Sequence, residues 1–191
     1  AIENIETFLT ATDATVDLLN AVFISAQTAS ASATIDFTSG FTATYDHYIV
    51  KLHNVRPATD GVSLYMRISQ SAAFVADAAS YQYSRWGFDS TPSTGNTSSS
   101  GATLIELASS IGNNASYSLA GDVSISQPSN ATNLKIILWQ LGYVSSGVRI
   151  VGVDGVATMQ LNTEAVDGLR FYMSLGNITA GTFALFGVRK I

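Results

Sequence analysis

Cysteine is absent from this chain of 191 residues. Disulfides, thiolate metal sites and cysteine nucleophiles are therefore excluded, while the redox compartment stays open. Charge is scarce as well. Only 12% of residues are Asp, Glu, Lys or Arg, about half of the usual ~25%. Serine and threonine take their place, so the surface depends little on ion pairs and salt should affect it weakly. The formal net charge is −5 and the pI is near 4.7. The densest basic cluster is Arg189-Lys190, which argues against a nucleic-acid partner, since that needs a basic footprint. No apolar run approaches the ~20 residues of a membrane span, so no membrane insertion is expected. No basic segment followed by an apolar one opens the chain, so no signal peptide is expected.

What is present is alternation. In Tyr45–Ser69 the residues Tyr48, Val50 and Leu52 share one face of a strand, and Val62, Leu64, Met66 and Ile68 share one face of a second. A period of two is what a sheet with one buried face requires. Pro57 and Asp60-Gly61 supply the short connection between this pair. Further strands are expected at 21–25, 31–37, 81–88, 103–108, 117–126, 133–141, 168–175 and 182–188. Gly121 marks a bulge. Residues 133–141 read as a central strand buried on both faces. Asp154-Gly155, flanked by 148–153 and 156–161, is the strongest short hairpin signal. Leu169, Phe171, Met173 and Leu175 point inward. Residues 89–101, DSTPSTGNTSSSG, read as a mobile loop, and 72–79 as a loop or one helical turn. About ten to twelve strands without intervening helices predict an all-β fold, an antiparallel β-sandwich of jelly-roll type over residues 21–191.

Residues 1–20 differ. Ile2, Ile5, Leu9, Thr12, Val16 and Leu19 follow a heptad-like 3,4 spacing, and isoleucine at both kinds of seam position favours three strands. The segment reads as an N-terminal anchoring and oligomerisation arm with Ile2, Ile5, Leu9 and Val16 as its contacts. It is either helical at 2–10 or extended, because its threonines and aspartates weaken a helix.

Candidate chemistry is thin. His47 and His53 share a strand face about 20 Å apart and cannot hold one metal ion. The carboxylates are scattered singly, most of them at turns, and no calcium-loop spacing occurs. No nucleophile elbow, P-loop or dinucleotide fingerprint is present. Neither catalytic residues, metal nor cofactor are expected, although spatial convergence of two carboxylates into a glycosidase pair stays open at this point. The aromatic strand 81–88 offers Tyr81, Tyr83 and Trp86 as contacts to a glycan or partner. Alternation puts Tyr81, Tyr83 and Arg85 on one face and Gln82, Ser84 and Trp86 on the other.

Two stretches go beyond a generic sandwich. One runs from Tyr45-Asp46-His47-Tyr48 through Asn54-Val55-Arg56-Pro57-Ala58-Thr59-Asp60-Gly61 to Leu64-Tyr65-Met66-Arg67. The other runs from Val166-Asp167-Gly168-Leu169-Arg170-Phe171 through Gly176-Asn177 to Gly181-Thr182-Phe183-Ala184-Leu185-Phe186-Gly187-Val188. Over roughly residues 31–191 the chain resembles tailed-bacteriophage virion structural proteins of the fibre, spike or appendage kind. The resemblance implies a non-enzymatic viral structural protein, a head or tail fibre or adaptor, assembled in the host cytoplasm. It implies a homo-oligomer, usually a homotrimer, that meets other virion proteins through the N-terminal arm. The alternative is a receptor-binding module for host surface glycans at the tip of such an appendage, and less so a glycan-degrading enzyme. The N-terminal segment is shorter here than the anchoring region often found in those proteins.

Overall fold

The computed structural model describes residues 21–91, 94–160 and 162–189. The expected arm, with Ile2, Ile5, Leu9 and Val16, lies outside the described residues. Thirteen strands occur among the described residues: β1 (Ala21–Ser32), β2 (Ile35–Phe37), β3 (Tyr45–Pro57), β4 (Val62–Gln70), β5 (Ala73–Phe74), β6 (Tyr81–Asp89), β7 (Thr94–Ala102), β8 (Ile105–Ile111), β9 (Leu119–Ser126), β10 (Ile137–Val144), β11 (Ile150–Met159), β12 (Gly168–Met173) and β13 (Ile178–Arg189). All ladders among the described residues are antiparallel, in keeping with the alternating burial of the strands.

The pairing is nested. β1 pairs with β13, β2 with β12, β3 with β9 and β4 with β8. These rungs fall in two sheets. The larger has eight strands in the order β1-β13-β3-β9-β10-β11-β6-β7. The smaller has five, β2-β12-β4-β5, with β8 also on β4. Eight strands thus follow one long hairpin rolled across two layers, which is the jelly-roll winding. Two hairpins interrupt it. β6–β7 enters between β4 and β8, β10–β11 enters between β9 and β12, and together they lengthen only the large sheet beyond β9.

One core lies between the layers. Tyr48, Val50, Leu52, Leu119, Val123, Phe183 and Leu185 from the large sheet meet Leu64, Met66, Ile68, Leu169 and Phe171 from the small one. The Phe171 and Phe183 rings approach to 5.3 Å across the interlayer space. The expected pair over 45–69 is therefore two strands of opposite layers. Residues 57–62 carry the chain over the edge of the sandwich, with Gly61 at φ +72° and its N–H donating to the Ile111 carbonyl.

Several expectations are corrected. Asp154-Gly155 is not a turn. β11 runs straight through it, because a Cβ at residue 155 would fall inside the Trp139 ring, and only glycine lets that indole lie across the strand. The hairpin turn is at 145–149, closed by Ser145 N–H to Arg149 O and Val148 N–H to Ser145 O. Residues 94–102 are no loop but the edge strand β7, whose ladder to β6 needs backbone groups and not apolar side chains. β10 is buried on one face only: Leu138 is 48% exposed on the other. Leu175 lies beyond β12 and is exposed. The bulge expected at Gly121 has its extra residue on the partner strand, where Leu52 faces Gly121 and Val55 faces Leu119.

Candidate binding site

The hairpins β6–β7 and β10–β11 carry most of the unusual chemistry. Along β6, Tyr81 and Arg85 are buried, Tyr83 is half-buried, and Trp86 and Phe88 are exposed. The aromatic strand is thus not one platform. Tyr81 belongs to the core. Its hydroxyl accepts from Ile68 N–H at 2.9 Å and donates to Val75 O at 2.9 Å, and burial pushes its pKa up to about 12. Of the predicted contacts, only Tyr83 and Trp86 reach the surface, and they face opposite sides of the sheet.

Arg85 is 9% exposed and faces the interlayer side, where a buried cation needs a partner. Glu106 of β8 supplies it. Arg85 Nη2 donates to Glu106 Oε1 at 3.3 Å and to Ser109 Oγ at 3.0 Å. Ser63 Oγ donates to the same carboxylate oxygen at 3.0 Å, and the Tyr83 hydroxyl meets Oε2 at 3.5 Å. Burial, with the negative Glu106 beside it, raises the Tyr83 pKa. Trp139 Nε1 donates to Leu107 O at 3.0 Å, and the Tyr143 hydroxyl to Ser109 O at 2.7 Å. Every strand of the extension except β7 and β11 thus sends a polar side chain to β8, the border strand of the small sheet. Arg85 Nε remains buried without a partner.

Past β8 the large sheet overhangs the small one and leaves a cleft of about 430 Å³. Its lining includes Arg85, Tyr143, Ser109, Ser145, Val153 and Arg149. Arg149 Nη1 pairs with Asp89 at 3.1 Å. Asp89 also accepts from the Thr91 hydroxyl at 2.6 Å and the Thr91 N–H at 2.8 Å. That hydroxyl bond, followed by the N–H and Arg149, holds the carboxyl below its ordinary pKa. Sequence reasoning missed this constellation. Its one available signal was Arg85, an arginine on the inward side of a strand whose inward neighbours are tyrosines.

The opposite, outer face of the large sheet carries one register row that is apolar except at Ser124. Phe23 faces Phe186, Phe186 faces Ile49, Ile49 faces Ser124, Ser124 faces Leu138 and Leu138 faces Val156. The Phe23 and Phe186 rings meet edge-on at 5.7 Å. Trp86 and Phe88 extend this face, and each is more than half exposed. His47 and His53 occupy β3 on the same side. Burial lowers the His47 pKa, and its ring lies 3.4 Å from Ser126 Oγ. Among the described residues no group of three or more His, Asp or Glu is placed to hold a metal ion.

No protein-family model and no curated protein matches the chain. Among solved structures it is similar to the galectin LEC-6 of Caenorhabditis elegans at 11% identity, covering 83% of this chain and 98% of that one with a TM-score of 0.27. So low a score carries no argument about function.

Proposed function

We propose that the chain is a structural component of a tailed-phage virion, of the fibre, spike or adaptor kind, that works by self-association and by docking on other virion proteins. The observation that carries this reading is the apolar row Phe23, Phe186, Ile49, Leu138 and Val156 across the outer face of the large sheet. Nothing else in the chain covers that row in the described residues, and Phe23, Leu138 and Val156 stand out among its exposed large apolar side chains. Exposed apolar side chains grouped along one row, here broken only by Ser124, mark an interaction site. A second copy is its occupant, since low charge removes the repulsion that would keep like surfaces apart. The resemblance of residues 45–67 and 166–188 to phage appendage proteins supports the same reading. In this role the protein acts in the virion, as a trimer, without catalysis.

Molar mass by light scattering, on the whole chain and on Leu138→Asp with Val156→Asp, tests it. An oligomer that the double variant dissociates, with the fold retained by circular dichroism, is the expected result. A wild-type monomer across the accessible concentration range overturns it.

One observation favours a second reading, receptor-glycan binding: the cleft on the other side of the sheet has a floor that no side chain of the described residues fills.

A further inference from the structure

Most strand glycines in this molecule have a visible occupant. Phe88 lies on Gly152, Trp139 on Gly155 and Tyr45 on Gly187. Gly87, Gly95, Gly101 and Gly142 are open, and of these Gly87 and Gly95 lie together. They face each other in the β6–β7 ladder and both line the overhang cleft. A Cβ at Gly87 would make only ordinary contacts at 3.7 Å or more, and a Cβ at Gly95 would meet nothing within 4 Å. Neither has a backbone conformation that demands glycine. A glycine in a strand interior weakens the strand and marks a place where something approaches the backbone closely. Here no part of the described chain does.

The walls around this floor are ordered by the chain's own contacts. Arg85 is held by Glu106 and Ser109, Arg149 by Asp89, and the Tyr143 ring by Ser109 O. Each arginine stands against its own carboxylate, so the two ion pairs contribute no net charge. A phosphate or other strong anion would gain little attraction and would face Asp89 in the lining. A purely apolar ligand would strand the serine hydroxyls and both guanidinium forks. The remaining class carries many hydroxyls, no charge and an apolar C–H face. Its C–H face fits Gly87, Gly95, Val151 and Val153. Its hydroxyls match Ser109, Ser110, Ser145, Ser146 and the exposed edges of the two ion pairs. The volume is within the ~300–1,000 Å³ range of ligand sites.

We propose that the cleft beneath the overhang binds a neutral saccharide, seated on the Gly87–Gly95 floor and held by Arg85, Arg149, Asp89 and the surrounding serines. This gives the second reading a site and a ligand class. It stands independently of the docking role, which uses the opposite face of the same sheet.

The test is saturation-transfer NMR on the full chain. The probes are methyl glucoside, methyl galactoside, methyl mannoside and N-acetylglucosamine, with glucose 6-phosphate and N-acetylneuraminic acid as charged comparators. At least one neutral probe should bind saturably, and binding should be insensitive to salt. A Cβ at residue 95 meets nothing within 4 Å, so Gly95→Leu should be accommodated over the floor without lowering Tm and should weaken binding at least about tenfold. Arg149→Gln, which keeps a polar head at the rim, should weaken it by a smaller factor. No neutral probe bound, equal binding in Gly95→Leu, or tighter salt-dependent binding of the charged comparators would each overturn the proposal. Oligomeric state is not read by this experiment, so its failure leaves the docking reading to be judged separately.

Discussion

The nested jelly roll and the flank formed by β6, β7, β10 and β11 solve the same packing problem with different materials. In the jelly roll both layers are present, and alternate side chains of each close on an apolar interior with rings such as Phe171 and Phe183 at its centre. In the flank the second layer stops at β8. There the indole N–H of Trp139, the hydroxyl of Tyr143 and the guanidinium of Arg85 reach back to β8. Hydrogen bonding takes over where hydrophobic coverage runs out, since each polar group left dry and unpaired there would cost about 1–3 kcal/mol. The difference teaches that a sheet can outgrow its partner layer if the border strand offers polar anchors. The uncovered remainder then becomes usable surface on both sides.

The largest expected effects separate the two regions. Trp139→Ala and Phe171→Ala should each cost about 3–5 kcal/mol. Hydrogen exchange followed amide by amide should differ between them. Phe171→Ala should lower protection throughout both layers, whereas Trp139→Ala should lower it first in β6, β7, β10 and β11. Uniform loss in both variants would show that the flank is not a separate cooperative unit.

A smaller effect comes from Tyr81, which joins the flank to the small sheet through Ile68 and Val75. Its folded pKa of about 12 lies above the ordinary 10.0. The corresponding stability is fully present below pH 10 and is lost as pH rises from 10 towards 12, by roughly 3 kcal/mol. Denaturant titrations across that interval should show the fall in wild type. Tyr81→Phe should be less stable at neutral pH and flatter above 10. A wild type equally stable at both ends would remove this link between the regions.

The smallest effect is expected on the jelly-roll surface. The Lys51–Asp122 pair, 3.0 Å apart and about half exposed, should contribute about 0.2–1 kcal/mol in a double-mutant cycle and fade with added salt. A larger coupling would mean that the sparse charges of this surface matter more than their exposure allows.

The jelly roll was legible in the sequence and the flank largely was not. Tyr48, Val50 and Leu52, or Leu64, Met66 and Ile68, alternate because one side of each strand is always covered. The expected antiparallel sandwich followed from that. Asp154-Gly155 misled because turn chemistry and ring accommodation both select glycine, and only the position of Trp139 tells them apart. Residues 94–102 misled because an edge strand takes its stability from a ladder that side-chain composition does not reveal. Layer membership was hidden as well: β3 and β4 are neighbours in sequence, yet their partners β13 and β12 lie about a hundred residues away or more. Of the candidate site, Trp86 was correctly placed on the face opposite Tyr81. The carboxylate that anchors Arg85 was invisible, because Glu106 is brought to it by the pairing of β8 with β4.

The β1–β13 ladder also sets how the molecule bears force. Ala21 lies opposite Val188, so the start of β1 and the end of β13 share one corner of the large sheet. A pull applied between residues 21 and 189 would peel the two strands apart one rung at a time, with little resistance. The same pull applied between residue 21 and a grip on the far end of the sheet would load every rung of that ladder together in shear.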